Sequence, residues 1–238
     1  MELPASMITG RLIRRYKRFL ADVRLSSGEV ITAHCPNTGA MLGCREPGSR
    51  IWLSESDNPK RRYRHTWELV ETAPGVLVGI HTGRTNRLAA EALSQGLLAD
   101  VVKVRGLKRE VSVADLGCRI DFLVETQDGP DCYMEIKNVT AAVEKGVALF
   151  PDAVSERAVR HLDSLVTLVD RGHRAALCFC VQRSDVRAVR PASEIHPEYA
   201  TALARAAAAG VQIAGFRCRV SADRIEPVER VRVEVDVV

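Results

Sequence analysis

The sequence predicts an α+β / α/β protein: a small N-terminal OB-like β-barrel followed by a larger C-terminal mixed-sheet domain flanked by helices. Three observations carry this prediction. Short β segments broken by turn residues fill residues 11–82. From Arg84 onward, apolar residues recur at helical spacing between longer strands. The basic excess is also confined to one end: residues 1–82 hold 12 Lys/Arg against 8 Asp/Glu, whereas residues 83–238 hold 22 of each. A chain of 238 residues accommodates two compact domains, here 1–82 and 83–238.

In the first domain, segments 23–25 and 30–33 flank Ser26-Ser27-Gly28-Glu29, a short Gly-containing connection that predicts a hairpin. Cys35-Pro36-Asn37-Thr38-Gly39 is turn chemistry. Residues 51–53, 66–71 and 76–80 supply further strands, with Ala73-Pro74-Gly75 as a turn. About five strands with little helix fit a small closed barrel.

In the second domain, residues 86–98 predict a helix with Leu88, Ala92 and Leu93 on one face and Gly96 near its end. Residues 107–113, 118–124 and 132–139 are three β segments, the last two joined by Gln127-Asp128-Gly129-Pro130. Residues 153–170 form an amphipathic helix: Val154, Ala158, His161, Leu162, Leu165 and Val169 follow a 3.6-residue period, and Gly172 ends it. The apolar run 175–181 suits a buried central strand. Residues 198–209 are a helix stopped by Gly210, and 211–220 a strand. Val231, Val233, Val235 and Val237 alternate with charges as an edge strand would. The order is α-β-β-β-α-β-α-β.

Composition excludes several classes. No stretch approaches 18 apolar residues and the first ten are too polar for a signal peptide, so the expectation is a cytoplasmic protein without a membrane partner. Seven Cys, an odd number without paired C-x-x-C spacing, fit reduced thiols. His34, Cys35 and Cys44 match no structural zinc pattern, and Cys178-Phe179-Cys180 lies in an apolar strand. No Gly-rich phosphate loop is present, which leaves nucleotide-driven activity unsupported.

Chemistry concentrates on adjacent strands. Asp121 lies in Arg119-Ile120-Asp121-Phe122, and Glu135-Ile136-Lys137 follows across a hairpin. Side chains two apart on a strand share a face, so Glu135 and Lys137 point together, and the turn can bring Asp121 beside Glu135. Two adjacent carboxylates repel unless a cation sits between them, and hard oxygen ligands suit Mg²⁺ or Mn²⁺. Asp121 and Glu135 are therefore the candidate metal ligands, with the Ile136 carbonyl as a third oxygen. Lys137 is a candidate for orienting water and offsetting transition-state charge. Glu91, on the preceding helix, is a candidate further carboxylate. A Glu-x-Lys triplet commonly forms a solvated strand face; here Ile120, Phe122, Tyr133, Met134 and Val139 surround it with apolar bulk, where unpaired charge is costly.

This set resembles the PD-(D/E)xK nuclease superfamily, with Ile120 where that pattern usually has Pro. Across nearly its whole length the chain is similar to the sugar fermentation stimulation protein family. The matching segments are Arg15-Tyr16-Lys17-Arg18-Phe19-Leu20-Ala21-Asp22-Val23, His34-Cys35-Pro36-Asn37-Thr38-Gly39-Ala40-Met41, His65-Thr66-Trp67-Glu68-Leu69 and Phe150-Pro151-Asp152-Ala153-Val154, together with the two chemical motifs. The resemblance implies an OB-like domain, a nuclease-like domain and DNA binding.

Arg157 and His161, four apart on the long helix and on the side of Asp152, are candidates for contacting a phosphate or positioning water; a cap and a surface pair would look the same. Arg14, Arg15, Lys17 and Arg18 interleave with Tyr16 and Phe19, and Lys60, Arg61, Arg62 and Arg64 with Tyr63. Cations among rings are what nucleic-acid surfaces use, though a solvated face is the plain alternative. The expected function is largely sequence-nonspecific DNA binding with divalent-metal-dependent phosphodiesterase capacity. The alternatives are a non-catalytic DNA-binding regulator of sugar (maltose) metabolism on the same scaffold and an RNA-processing protein. A homodimer is compatible with each.

Overall fold

The computed structural model describes residues 1–72, 75–127, 129–142 and 146–235. The expected turns at Ala73-Pro74 and Asp128, and the strand position Val237, lie outside the described residues.

The barrel is built from β1 (Met7–Tyr16), β2 (Leu20–Leu25), β3 (Val30–His34), β4 (Arg50–Glu55), β5 (His65–Thr72) and β6 (Val76–Gly79). Its order is β3-β2-β1-β4-β5-β6, and His34 of β3 meets Thr66 of β5 in parallel, which closes the sheet on itself. Five strands closed in this order make an OB barrel. The expected 26–29 hairpin is the β2–β3 turn. Strand β1 was not anticipated, because its arginines hide the alternation that buries Gly10 and Leu12. Leu12, Val23, Ile51, Leu53 and Trp67 fill the interior, and the Trp67 indole donates to the Leu69 carbonyl at 2.9 Å, leaving no polar atom orphaned there.

The second domain contains α1 (Thr85–Ser94), β7 (Val104–Val113), β8 (Cys118–Thr126), β9 (Cys132–Val139), β10 (Val147–Phe150), α2 (Glu156–Asp170), β11 (Arg174–Val181), β12 (Ala188–Pro191), α3 (Pro197–Ala208), β13 (Gln212–Val220), β14 (Ile225–Arg230) and β15 (Arg232–Val233). The main sheet runs β14-β13-β11-β9-β8-β7, parallel at its centre and antiparallel at both edges. A small parallel sheet β10-β12-β15 lies beside it. The Val231–Val235 region was expected to form an edge strand; only Arg232–Val233 does so, against β12, because β14 already occupies the edge of the main sheet. Helix α1 ends at Ser94 rather than 98, where Gly96 turns left-handed at φ +71°. Helix α2 starts at Glu156 because the Ser155 hydroxyl accepts from Ala158 N at 3.2 Å.

Both faces of the sheet are covered. Leu88, Ala92 and Leu93 of α1 pack on Phe122, Met134 and Phe216, and the barrel residues Trp52 and Leu69 join the same core. On the other face, Leu162 and Leu165 of α2 and Tyr199 and Leu203 of α3 pack on Leu177 and Phe179. None of the seven cysteines is bridged. Among the described residues, no helix is long and apolar enough to cross a membrane.

Polar contacts fix the junction between the two halves. The Asp152 carboxylate accepts Met41 N at 2.7 Å, and Arg84 donates to buried Glu68 at 2.8 Å. Gly79 N donates to the Gln182 carbonyl at 2.9 Å, and the Gln182 amide donates to Asn138 at 2.6 Å, next to the Glu135–Lys137 segment. A Cβ on Gly79 would stand 2.6 Å from Gln182 Oε1 and 2.8 Å from Ile225 Cδ1. Gly79→Ala should therefore lower the unfolding free energy by about 1–3 kcal/mol, the usual cost of overpacking, measured by urea denaturation.

Candidate active site

The β8–β9 ladder pairs Val124 with Cys132 and Phe122 with Met134, then stops. Where it stops, the Asp121 carboxylate accepts Ile136 N at 2.8 Å in place of a backbone carbonyl. Its second oxygen accepts Asn86 Nδ2 at 2.9 Å from the start of α1. Beside this break lies a cleft of about 620 Å³ lined by Asn86, Asp121, Glu135, Lys137, Arg157 and His161 among others.

Glu135 and Lys137 both face α2, as the two-residue period requires. Lys137 Nζ donates to Glu135 Oε1 at 2.8 Å, and His161 Nδ1 meets the same oxygen. Arg157 Nε donates to His161 Nε2 at 3.2 Å. An Nδ1–H ring would accept from Arg157 at Nε2 and donate to Glu135 at Nδ1, where Lys137 Nζ also lies 3.2 Å away. Glu135 is only 4% exposed, and its Oε2 is buried with no hydrogen-bond partner.

The two carboxyl groups are shifted in opposite directions. Burial first, then the charge of Glu135, raises Asp121 above the usual carboxylate range, against the hydrogen bonds from Ile136 and Asn86. Burial pushes Glu135 up as well, yet the His161 hydrogen bond and the Lys137 charge outweigh it and leave Glu135 below the usual range. One free carboxylate oxygen, a second carboxylate beside it and the backbone of Ile136, which lines the same cleft, make a donor set for a hard cation.

The structure thus brings together Asp121, Glu135, Lys137, Arg157 and His161. It does not bring Glu91: that carboxylate binds the Met1 ammonium at 2.8 Å and Arg87 at 3.4 Å, on another face of α1 from Asn86. Sequence reasoning missed Asn86, which takes the place expected of Glu91, and Glu110, which lines the same cleft from β7. Counting register across the β7–β8 turn sets Glu110 opposite Asp121 and would have found it.

The basic candidates fall on two barrel loops. Lys17 and Arg18 form the β1–β2 turn with left-handed φ of 50° and 65°, followed by Phe19, 43% exposed. Arg14 lies on β1, paired with Asp22 at 2.8 Å and stacked over Tyr16. Lys60, Arg61, Arg62 and Arg64 occupy the β4–β5 connection; Arg62 lies over the Tyr63 ring, Arg64 pairs with Glu55 at 2.8 Å, and Arg61 donates to Thr66 at 3.1 Å. Arg15 is a correction. Its guanidinium donates to the carbonyls of Arg18, Asn37 and Gly39 at 2.6–2.9 Å, so it staples two loops together rather than facing a ligand. Asp152, grouped with Arg157 and His161 in the sequence, binds the barrel instead. A smaller cleft of about 280 Å³ continues from the first, sharing Thr82, Asn138, Phe150 and Ser155 with it and reaching Arg18.

Family comparisons match this architecture domain by domain. The model described as "SfsA N-terminal OB domain" matches residues 13–80, and "Sugar fermentation stimulation protein RE domain" matches residues 83–224. The chain belongs to the sugar fermentation stimulation protein family. A family homologue from Thioalkalivibrio sulfidiphilus is 58% identical, with 92% of each chain covered. Another, from Halorhodospira halophila, is 56% identical over 95% of each. The solved structure of the Pyrococcus furiosus family protein in complex with Ca²⁺ is 27% identical, covers 98% of both chains and superposes with a TM-score of 0.85.

Because the Asn86 hydrogen bond favours ionised Asp121, Asn86→Ala should push the Asp121 pKa further up, read by ¹³C-carboxyl NMR titration of metal-free protein; a downward move would contradict the network. The sign for stability follows. A carboxyl raised on folding supports the fold most below its unfolded pKa, and that support declines as pH rises through the folded value. Asn86→Ala should steepen the decline.

Proposed function

We propose that this family member binds DNA with little regard to sequence and cleaves its phosphodiester backbone with a divalent cation. The observation that carries the reading is Glu135: Oε1 is held by Lys137 and His161, while Oε2 is buried and unpartnered beside Asp121. An ionised oxygen in that position is costly unless a positive charge completes it. The donor set fits Mg²⁺ or Mn²⁺, with Asp121, Glu135 and the Ile136 carbonyl as ligands. The Pyrococcus relative, solved with Ca²⁺, supports a hard cation as the family's ligand class.

A cation held there supplies Lewis-acid polarisation of the scissile phosphate. The chain's own groups do the rest. Lys137 sets its ammonium against the charge that builds on the phosphoryl oxygens and orients the attacking water. Arg157 contacts a phosphate from the cleft wall, and His161 keeps Glu135 turned so that Oε2 faces the ligand position. For DNA, the β1–β2 and β4–β5 loops are the ones OB barrels use to grip strands. Lys17, Arg18, Lys60 and Arg62 supply phosphate contacts there, and exposed Phe19 a stacking surface.

Lys137→Ala should lower metal-dependent cleavage of plasmid or branched DNA by about 10²–10³, equivalent to about 2.7–4 kcal/mol, while DNA affinity stays near wild type. A wild type that cleaves no DNA form with Mg²⁺ or Mn²⁺ would instead identify a DNA-binding regulator on this scaffold. Affinity for duplex DNA should fall with salt at a log–log slope of about −0.9 per phosphate contacted. Lys60→Ala should flatten that slope by about one unit, checked by fluorescence anisotropy across a salt series.

A further inference from the structure

We propose that Glu110 is a third carboxylate ligand of the cation site, which extends the reading above and rests on its cation. The pairs Arg109–Phe122 and Val111–Ile120 bracket Glu110 and Asp121, so the two face each other across the β7–β8 ladder. Glu110 adopts φ +53°, a left-handed backbone that a mid-strand glutamate rarely takes. The ladder keeps one register on either side but leaves out the Glu110–Asp121 pair itself, so the left-handed residue sits at a gap in the pairing beside Asp121. Its side chain lines the same cleft as Asp121 and Glu135 and also the adjoining one, about 520 Å³, where those two carboxylates recur.

Two further contacts narrow its role. Asn86 Nδ2 reaches Glu110 Oε1 at 3.4 Å and Asp121 Oδ1 at 2.9 Å, so one amide gathers both carboxylates. Arg119 lies 3.8 Å from Glu110, but both side chains are well exposed, and such a pair is loosely held. Independently, the buried, unpartnered Glu135 Oε2 lines that cleft. A hard cation takes six or so oxygens, and Asp121 with Glu135 leaves most of that shell open. Among the described residues no three acidic, His or Cys side chains are already arranged to hold an ion. Glu110, exposed at the cleft wall, would turn inward to complete the shell and supply from a strand what Glu91 cannot supply from the helix.

This assignment gives Glu110 a signature that a structural residue lacks. Its strained backbone costs the fold something and its carboxylate serves the ligand, so one substitution should move stability and metal affinity in opposite directions. The test is calorimetric titration of Mn²⁺ into wild type, Asp121→Asn, Glu110→Gln and Glu110→Gly, with thermal melts of each in chelator. Glu110→Gln should weaken Mn²⁺ binding by on the order of tenfold or more without loss of folding. Glu110→Gly should weaken it equally while melting a few degrees higher, since glycine accepts positive φ without strain. Wild-type Mn²⁺ affinity in both Glu110 variants, with binding lost in Asp121→Asn, overturns the Glu110 assignment alone. No Mn²⁺ binding by the wild type overturns the cation reading and this inference with it. A Glu110→Gly protein that melts lower and binds Mn²⁺ normally gives the residue a structural role.

Discussion

The pairing of β8 with β9 ends one residue before both chemical motifs, and the site depends on how that ending is satisfied. A buried strand cannot leave an amide without an acceptor. The Ile136 N–H finds one in the Asp121 side chain rather than in a backbone carbonyl. That single substitution of side chain for main chain lets the two strands part and opens the cleft between them. It also fixes a carboxylate at the mouth, and Asn86 braces it from the adjoining helix. Closing the ladder by one more pair would bury the same residues in an ordinary sheet.

A second support comes from α2. Its capped first turn places Arg157 and His161 one helical turn apart, both over the face of β9 that carries Glu135 and Lys137. The chain Arg157 to His161 to Glu135 is a line of donors, each fixing the next, and Lys137 meets it at the same oxygen. The helix therefore governs a carboxylate it does not carry. Burial raises both acids; the donors reverse that for Glu135 and leave Asp121 above its ordinary range.

Much of this was legible because it depends on short periods. Glu135 and Lys137 share a face by the alternation of one strand, and Arg157 and His161 by one helical turn. The barrel's hairpin and the buried run 175–181 followed from local pattern as well. What escaped depends on partners distant in sequence. Asn86 and Glu91 are five residues apart, about 140° around a helix, and only tertiary docking decides which faces the sheet. The purpose of Arg15 is set by carbonyls 22 and 24 residues away on a folded-back loop. Strands β10 and β12 are four residues each and pair in parallel across a long connection, so neither length nor alternation announces them.

Trp52 and Leu69 belong to the barrel by sequence but to the core of the larger sheet by packing. Two bodies that share a core do not swing against each other as hinged domains do. The barrel that carries the basic loops and the sheet that carries the cleft are thus joined through apolar packing as well as through the chain. On the proposed DNA reading, a strand held by those loops would meet the carboxylates at an interval set by apolar packing instead of by any base it touches.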